Sequence, residues 1–127
     1  MRENTVISLH KFFWAAYVLA LIVGSLVPVA MSGAPEQSDK VVHFLAYALM
    51  AFFWPTSWRR SWLSAFCLAG GLGLLLEFAQ GALPMGRFFD PWDAVANATG
   101  AGVGAGAAFA WSRSARRNVF KSMRRKA

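Results

Sequence analysis

At 127 residues, with 57% of them hydrophobic and only 15% charged, the chain is long enough for one domain and too apolar for a soluble fold of that size. The apolar residues come in blocks, which excludes an ordinary soluble core and reads as a membrane protein. The formal charge of +7 is gathered at a few places along the chain, and a single cysteine, Cys67, excludes an internal disulfide.

Residues 1–11 form a short polar start. Residues 12–31 then run without a charge, long enough to cross the ~30 Å hydrocarbon core. A signal peptide is the competing reading, but its apolar region would measure only about 7–15 residues. Pro28 stands near the far end, where an early stop is tolerable. A short loop with Pro35 and Glu36 leads to a second block, 41–55, which closes on Pro55 and reaches span length only if Asp39 to His43 lie at the interface. Arg59 and Arg60 mark a tight connection. The third block, 62–83, is interrupted by Glu77 and Gln80; a loop with Arg87 and Asp90 follows; the fourth block is 93–111. The expected fold is therefore an all-α, integral membrane four-helix bundle over residues 1–111, with a basic tail at 112–127.

The start, the Arg59–Arg60 turn and the tail hold every basic residue except Lys40 and Arg87. The positive-inside rule then places both termini of this multi-pass chain in the cytoplasm. Trp14, Trp54, Trp58, Trp62 and Trp111 fall at the inner ends and Trp92 at the outer one, as an interfacial belt requires.

With that orientation the scattered polar residues gather at the outer face. Asp39, His43 and Tyr47 recur at i, i+4 and i+8, on one side of a helix. Glu77 and Gln80 share a face at i, i+3. Arg87 and Asp90 lie in the outer loop, and Asp93 with Asn97 opens the last block. Glu77 lies roughly 10 Å below the outer edge at 1.5 Å per residue. A carboxylate there costs on the order of 2.5–3.5 kcal/mol, so it should have a partner, with Arg87, His43 and Lys40 as candidates. A structural lock is the plainer reading of Glu77, and helix capping the plainer reading of Asp39 and Asp93. Arg87 offers a fork for a phosphate or carboxylate. A metal on His43 with Asp39, Glu77, Asp90 or Asp93 has no H-E-x-x-H or cysteine–histidine spacing behind it, and no cofactor is expected.

Gly100/Gly104 and Gly102/Gly106 are small-xxx-small pairs on two faces of the last helix, suited to close packing within the chain or between copies. The tail, from Arg113 to Lys126, is placed to meet anionic lipid, and nucleic acid is not expected. A faint internal repeat pairs Pro28 with Pro84 and Asp39/His43 with Asp93/Asn97.

Three stretches in order, D-K-V-V-H-F-L-A-Y, L-L-E-F-A-Q and R-F-F-D-P-W-D-A-V-A-N-A-T-G, resemble the VanZ-like family of small bacterial membrane proteins. The resemblance covers Asp39 to Gly104. It implies a four-helix protein of the cell envelope, in a family named for a member linked to resistance to the glycopeptide teicoplanin; it implies no reaction. The leading expectation is a binding protein. Lys40, His43, Tyr47, Glu77, Gln80, Arg87, Asp90, Asp93 and Asn97 would hold a lipid head group, a lipid-linked envelope precursor or a glycopeptide. An enzyme on such a lipid is the alternative, with His43 as base oriented by Asp39 and Glu77 as acid. An accessory subunit, packing through the glycines onto a partner or a second copy, is the third.

Overall fold

The computed structural model describes residues 2–27, 36–58, 61–83 and 88–124. They form four helices and no strand: α1 (Arg2–Leu26), α2 (Glu36–Trp58), α3 (Trp62–Ala82) and α4 (Pro91–Arg124). The expectations placed on Pro28, Pro35, the Arg59–Arg60 turn, Pro84 and Arg87 lie outside the described residues or their described side chains.

Helix boundaries follow local chemistry. Ser61, with extended backbone, accepts a hydrogen bond from the Ser64 N–H at 3.2 Å and so caps α3. At the start of α4, Asp90 Oδ1 accepts from the Trp92 N–H at 2.8 Å, while its carbonyl accepts from the N–H groups of Asp93 and Ala94 at 3.2 Å each. Pro91 follows at the first helical position, where its missing N–H costs nothing. The cap is therefore Asp90, and Asp93 sits in the first turn. Likewise α2 begins at Glu36, which leaves Asp39 inside its first turn. The capping reading of Asp39 and Asp93 is corrected on both counts, and their carboxylates are available for contacts between helices. Helix α2 also runs past Pro55 to Trp58, because a proline near a helix end removes only one backbone hydrogen bond. Helix α4 does not stop at the tail; residues 112–124 continue it without a break. Alanine and arginine are strong helix formers, and Lys121 and Arg124 in the last turn suit the negative end of the dipole.

Contacts advance in opposite senses along α1 and α2. Trp14 Nε1 donates to the Met50 carbonyl at 3.2 Å, and the Tyr17 hydroxyl donates to the Ala46 carbonyl at 2.8 Å. Helix α3 opposes α2 in the same way, with Trp54 Nε1 donating to Ser64 Oγ at 3.4 Å near one end and His43 beside Glu77 at the other. Helices α2 and α4 run parallel and make the most extensive interface. A methyl group on Gly100 would fall on the Phe44 carbonyl, and one on Gly104 on the Ala48 carbonyl. These glycines bring two backbones together as only a missing side chain allows. The second glycine face behaves differently. A methyl on Gly102 would make ordinary contact with Phe66, and one on Gly106 would meet no neighbouring helix within 4 Å.

The core joins Tyr47, Met50, Ala51 and Trp54 of α2 to Ala65 and Ala69 of α3 and Ala101 and Ala105 of α4. Trp54, 7% exposed, is turned into this core and packs tilted against Trp14 with ring centroids 4.8 Å apart, so it does not belong to an outer belt. Ser64 explains the difference: its hydroxyl receives the indole N–H on the inside. Trp62, Trp92 and Trp111 are exposed. So are large apolar side chains on every helix, Phe12, Phe13, Val42, Leu75, Phe78 and Val103 among them, while His43, Glu77, Gln80, Asp93 and Asn97 are buried. Apolar outside and polar inside reverses the arrangement of a water-soluble protein. Two stretches, Leu9–Leu26 and Trp62–Ala82, are long and apolar enough to cross a membrane.

Candidate functional site

One end of the helix assembly gathers the polar side chains. Helix α2 supplies Asp39, Lys40, His43 and Tyr47. Their shared face descends from a half-exposed carboxylate at Asp39 to Tyr47, which is 2% exposed. Helix α3 supplies Glu77 and Gln80 from its last turns, and α4 supplies Asp93 and Asn97 from its first. Asp90 lies just ahead of α4.

His43 is at the centre. Its Nδ1 is 2.9 Å from Asn97 Oδ1 and 3.7 Å from Glu77 Oε1. Asn97 Oδ1, within hydrogen-bond reach, is an acceptor, which assigns the proton to Nδ1 in the neutral ring. Nε2 faces the other way, 3.8 Å from Asp39 Oδ1 and 3.9 Å from Asp93 Oδ2. The ring is thus held by Asn97, and Asp39 stands beyond hydrogen-bond reach of it. Asn97 is itself fixed by the absence of a side chain opposite: a methyl on Gly73 would come within 2.7 Å of its Cβ. The i, i+4 pairs Asp39/His43 and Asp93/Asn97, the polar half of the faint repeat, face each other across the α2–α4 interface.

Lys40 forms the rim. Its Nζ is 3.3 Å from Asp90 Oδ2 and 3.5 Å from Asp93 Oδ1. Glu77, 1% exposed, accepts from the Asp90 N–H through Oε2 at 3.5 Å, tying the loop to the floor of the cluster. Gln80 Nε2 donates to the Ser25 carbonyl at 2.6 Å, and the Tyr47 hydroxyl meets the Ser25 side chain, so α1 closes the fourth side. Of the residues expected from sequence, Asp39, Lys40, His43, Tyr47, Glu77, Gln80, Asp90, Asp93 and Asn97 come together in this way. Arg87 lies outside the described residues. Ser25 and Gly73 were missed. The signal for Ser25 was a lone hydroxyl late in an apolar block; Gly73 carried none, because one glycine among several apolar neighbours does not announce what packs on it.

The rim sets a pH dependence. The Trp92 N–H, and then Lys40, hold the Asp90 carboxyl below its ordinary value, while Asp90 raises the Lys40 ammonium. A depressed carboxylate stabilises the fold above its unfolded pKa, about 3.9, and that contribution is lost as pH falls through the lower folded value. A raised ammonium contributes below its unfolded pKa, about 10.4, and that contribution is lost as pH rises through the higher folded value. Stability from this pair is therefore expected to be level across neutral pH and to fall at both extremes. Thermal unfolding of Asp90→Asn across pH should show a shallower acid limb than the parent protein.

An apolar cavity of about 300 Å³ lies elsewhere, between α1 and α2, lined by His10, Phe13, Trp14, Tyr17, Leu49 and Phe53. It is nearer the opposite end and is separate from the polar cluster.

The family model described as VanZ/LLP1 matches residues 4–112, which reach into all four helices and take in every residue of the cluster. No curated protein and no solved structure gives a significant match to the chain.

Proposed function

The chain belongs to the VanZ/LLP1 family of cell-envelope proteins, and from that premise we propose that it is a multi-pass protein of the bacterial inner membrane that binds an anionic lipid head group in its polar cluster. The single observation carrying this reading is the burial of ionisable groups from three helices at one end of an assembly whose outer surface is apolar. Charge placement supports the orientation. The opposite end carries Arg113, Arg116, Arg117, Lys121 and Arg124, and cationic residues favour the cytoplasmic side. The polar cluster then faces outward, and the basic end of α4 lies against anionic lipid on the inner leaflet. Lys40, half-buried at the rim and reachable from outside, is the first contact for a phosphate or carboxylate of an envelope lipid or lipid-linked precursor. Beneath it His43, Asn97 and Gln80 supply polar contacts to the head group, and the apolar helix flanks take the chains.

Mass spectrometry of lipid retained by the full-length protein in mild detergent tests the reading. A hydrogen bond to a charged group is worth about 1.5–3 kcal/mol, so Lys40→Ala is expected to lower the retained lipid roughly tenfold or more. Identical lipid in the two proteins would remove the rim from the binding site. A periplasm-active reporter fused after the last residue should stay silent; activity there would reverse the proposed orientation.

A further inference from the structure

The groups around His43 Nε2 are arranged for more than an organic head group. Asn97 Oδ1 and Glu77 Oε1 both stand on the Nδ1 side, so the neutral ring carries its proton there and presents a lone pair at Nε2. Around that nitrogen stand two carboxylate oxygens, Asp39 Oδ1 at 3.8 Å and Asp93 Oδ2 at 3.9 Å. Three electron-rich atoms facing one another across such a gap repel, and a cation between them turns the repulsion into attraction.

We infer that Asp39, His43 and Asp93 form a binding site for one divalent transition-metal ion of the zinc class, ligated through His43 Nε2 and one oxygen from each aspartate. The three ligand atoms lie within 4.8 Å of one another. Zinc bonds nitrogen at about 2.0–2.1 Å and carboxylate oxygen at about 2.0–2.2 Å, so the edges of a tetrahedral site measure roughly 3.4 Å. The two distances from Nε2 exceed that edge by only a few tenths of an ångström; rotation of the half-exposed Asp39 side chain closes the first, and a small shift of the imidazole toward Asp93 closes the second.

Two further observations favour a cation here. Asp93 is 6% exposed, and it divides its oxygens: Oδ1 lies beside Lys40 Nζ at 3.5 Å, leaving Oδ2 for the site. Oδ1 is buried, with Lys40 Nζ as its charge partner. Second, the Nδ1 contacts are those a metal-bound histidine requires, since an acceptor on the far nitrogen fixes the tautomer and raises the basicity of the ligating one. Imidazole with two carboxylates suits zinc or manganese and leaves at least one coordination position open. With the ion bound, His43 is a ligand rather than a hydrogen-bond donor, and contact with an anionic group passes to the ion and Lys40.

The test uses full-length protein in detergent, stripped with a chelator and titrated with zinc chloride alone, so its outcome is separate from lipid retention. One zinc per chain is expected by calorimetry and by elemental mass spectrometry after dialysis. His43→Gln and Asp93→Asn should each weaken binding tenfold or more. Asn97→Ala, which touches no ion, should weaken it by roughly 10–100-fold as a positioning residue. Cobalt should give visible absorption bands that His43→Gln abolishes. Because buried variants can lose the fold, the deciding variant is Asp39→Asn on the exposed side, with helicity checked by circular dichroism. Failure to bind at millimolar zinc, or equal affinity in folded Asp39→Asn, overturns the inference.

Discussion

Gly104→Leu is expected to abolish the folded protein. The Gly104 Cα lies so near the Ala48 carbonyl that even a methyl group would overlap it, and Gly100 stands in the same relation to Phe44. Backbone atoms inside a helix have no rotamer to yield with, so the whole α2–α4 interface must open. Overpacking by a few methylenes costs about 1–3 kcal/mol where side chains can move. Here they cannot, and that interface also brings His43 to Asn97. Gly104→Ala should cost at least the upper end of that range, while Gly104→Leu should give no monodisperse species on size exclusion in detergent. Gly106→Ala is the control. With nothing within 4 Å, it should be neutral or stabilise the helix by about 0.5–1 kcal/mol. Equal behaviour of the Gly104 and Gly106 variants would mean that the two helices do not approach in this way.

The second large effect is expected at Glu77. Its side chain is almost fully buried beside His43 and receives the Asp90 N–H. Glu77→Leu removes the acceptor from that N–H and from the Nδ1 side of the imidazole, and an orphaned buried donor costs about 1–3 kcal/mol. The loop ahead of α4 is tied down through the same bond, so Asp90 and Lys40 should loosen with it. A lower melting temperature and a loss of retained lipid are expected together. Glu77→Gln keeps an oxygen in place and should fall between Glu77→Leu and the parent protein. If Glu77→Gln were as damaging as Glu77→Leu, the negative charge rather than the acceptor would be the property that matters.

Much of this site was legible before any coordinates, for a physical reason. In an apolar helix a charged side chain is expensive unless it turns toward other protein groups, so Glu77, with Gln80 on its face, could be placed facing inward from its neighbours alone. The spacing of Asp39, His43 and Tyr47 fixed a common face. What escaped was whatever depended on helix register. Sequence could not show that Asn97, rather than Asp39, holds the imidazole, because that follows from the sliding position of α4 against α2. The same blindness applied to Gly73, whose role appears only once Asn97 is packed on it. Trp54 looked like an interfacial anchor because tryptophan at a helix end usually is one; Ser64, on the next helix, drew it inside. The cap of α4 was misplaced by three residues because D-P-W-D holds two aspartates that suit it, and the proline between them selects the first.

The unbroken length of α4 has a mechanical consequence. Its 34 residues, at about 1.5 Å each, make a rod roughly 50 Å long, well beyond the ~30 Å of a bilayer interior. Asp93 and Asn97 sit at one tip and Lys121 and Arg124 at the other. The cationic tip therefore stands far from the cluster, and a disturbance there reaches the aspartate and the amide only by shifting the contact that Gly100 and Gly104 lock against α2.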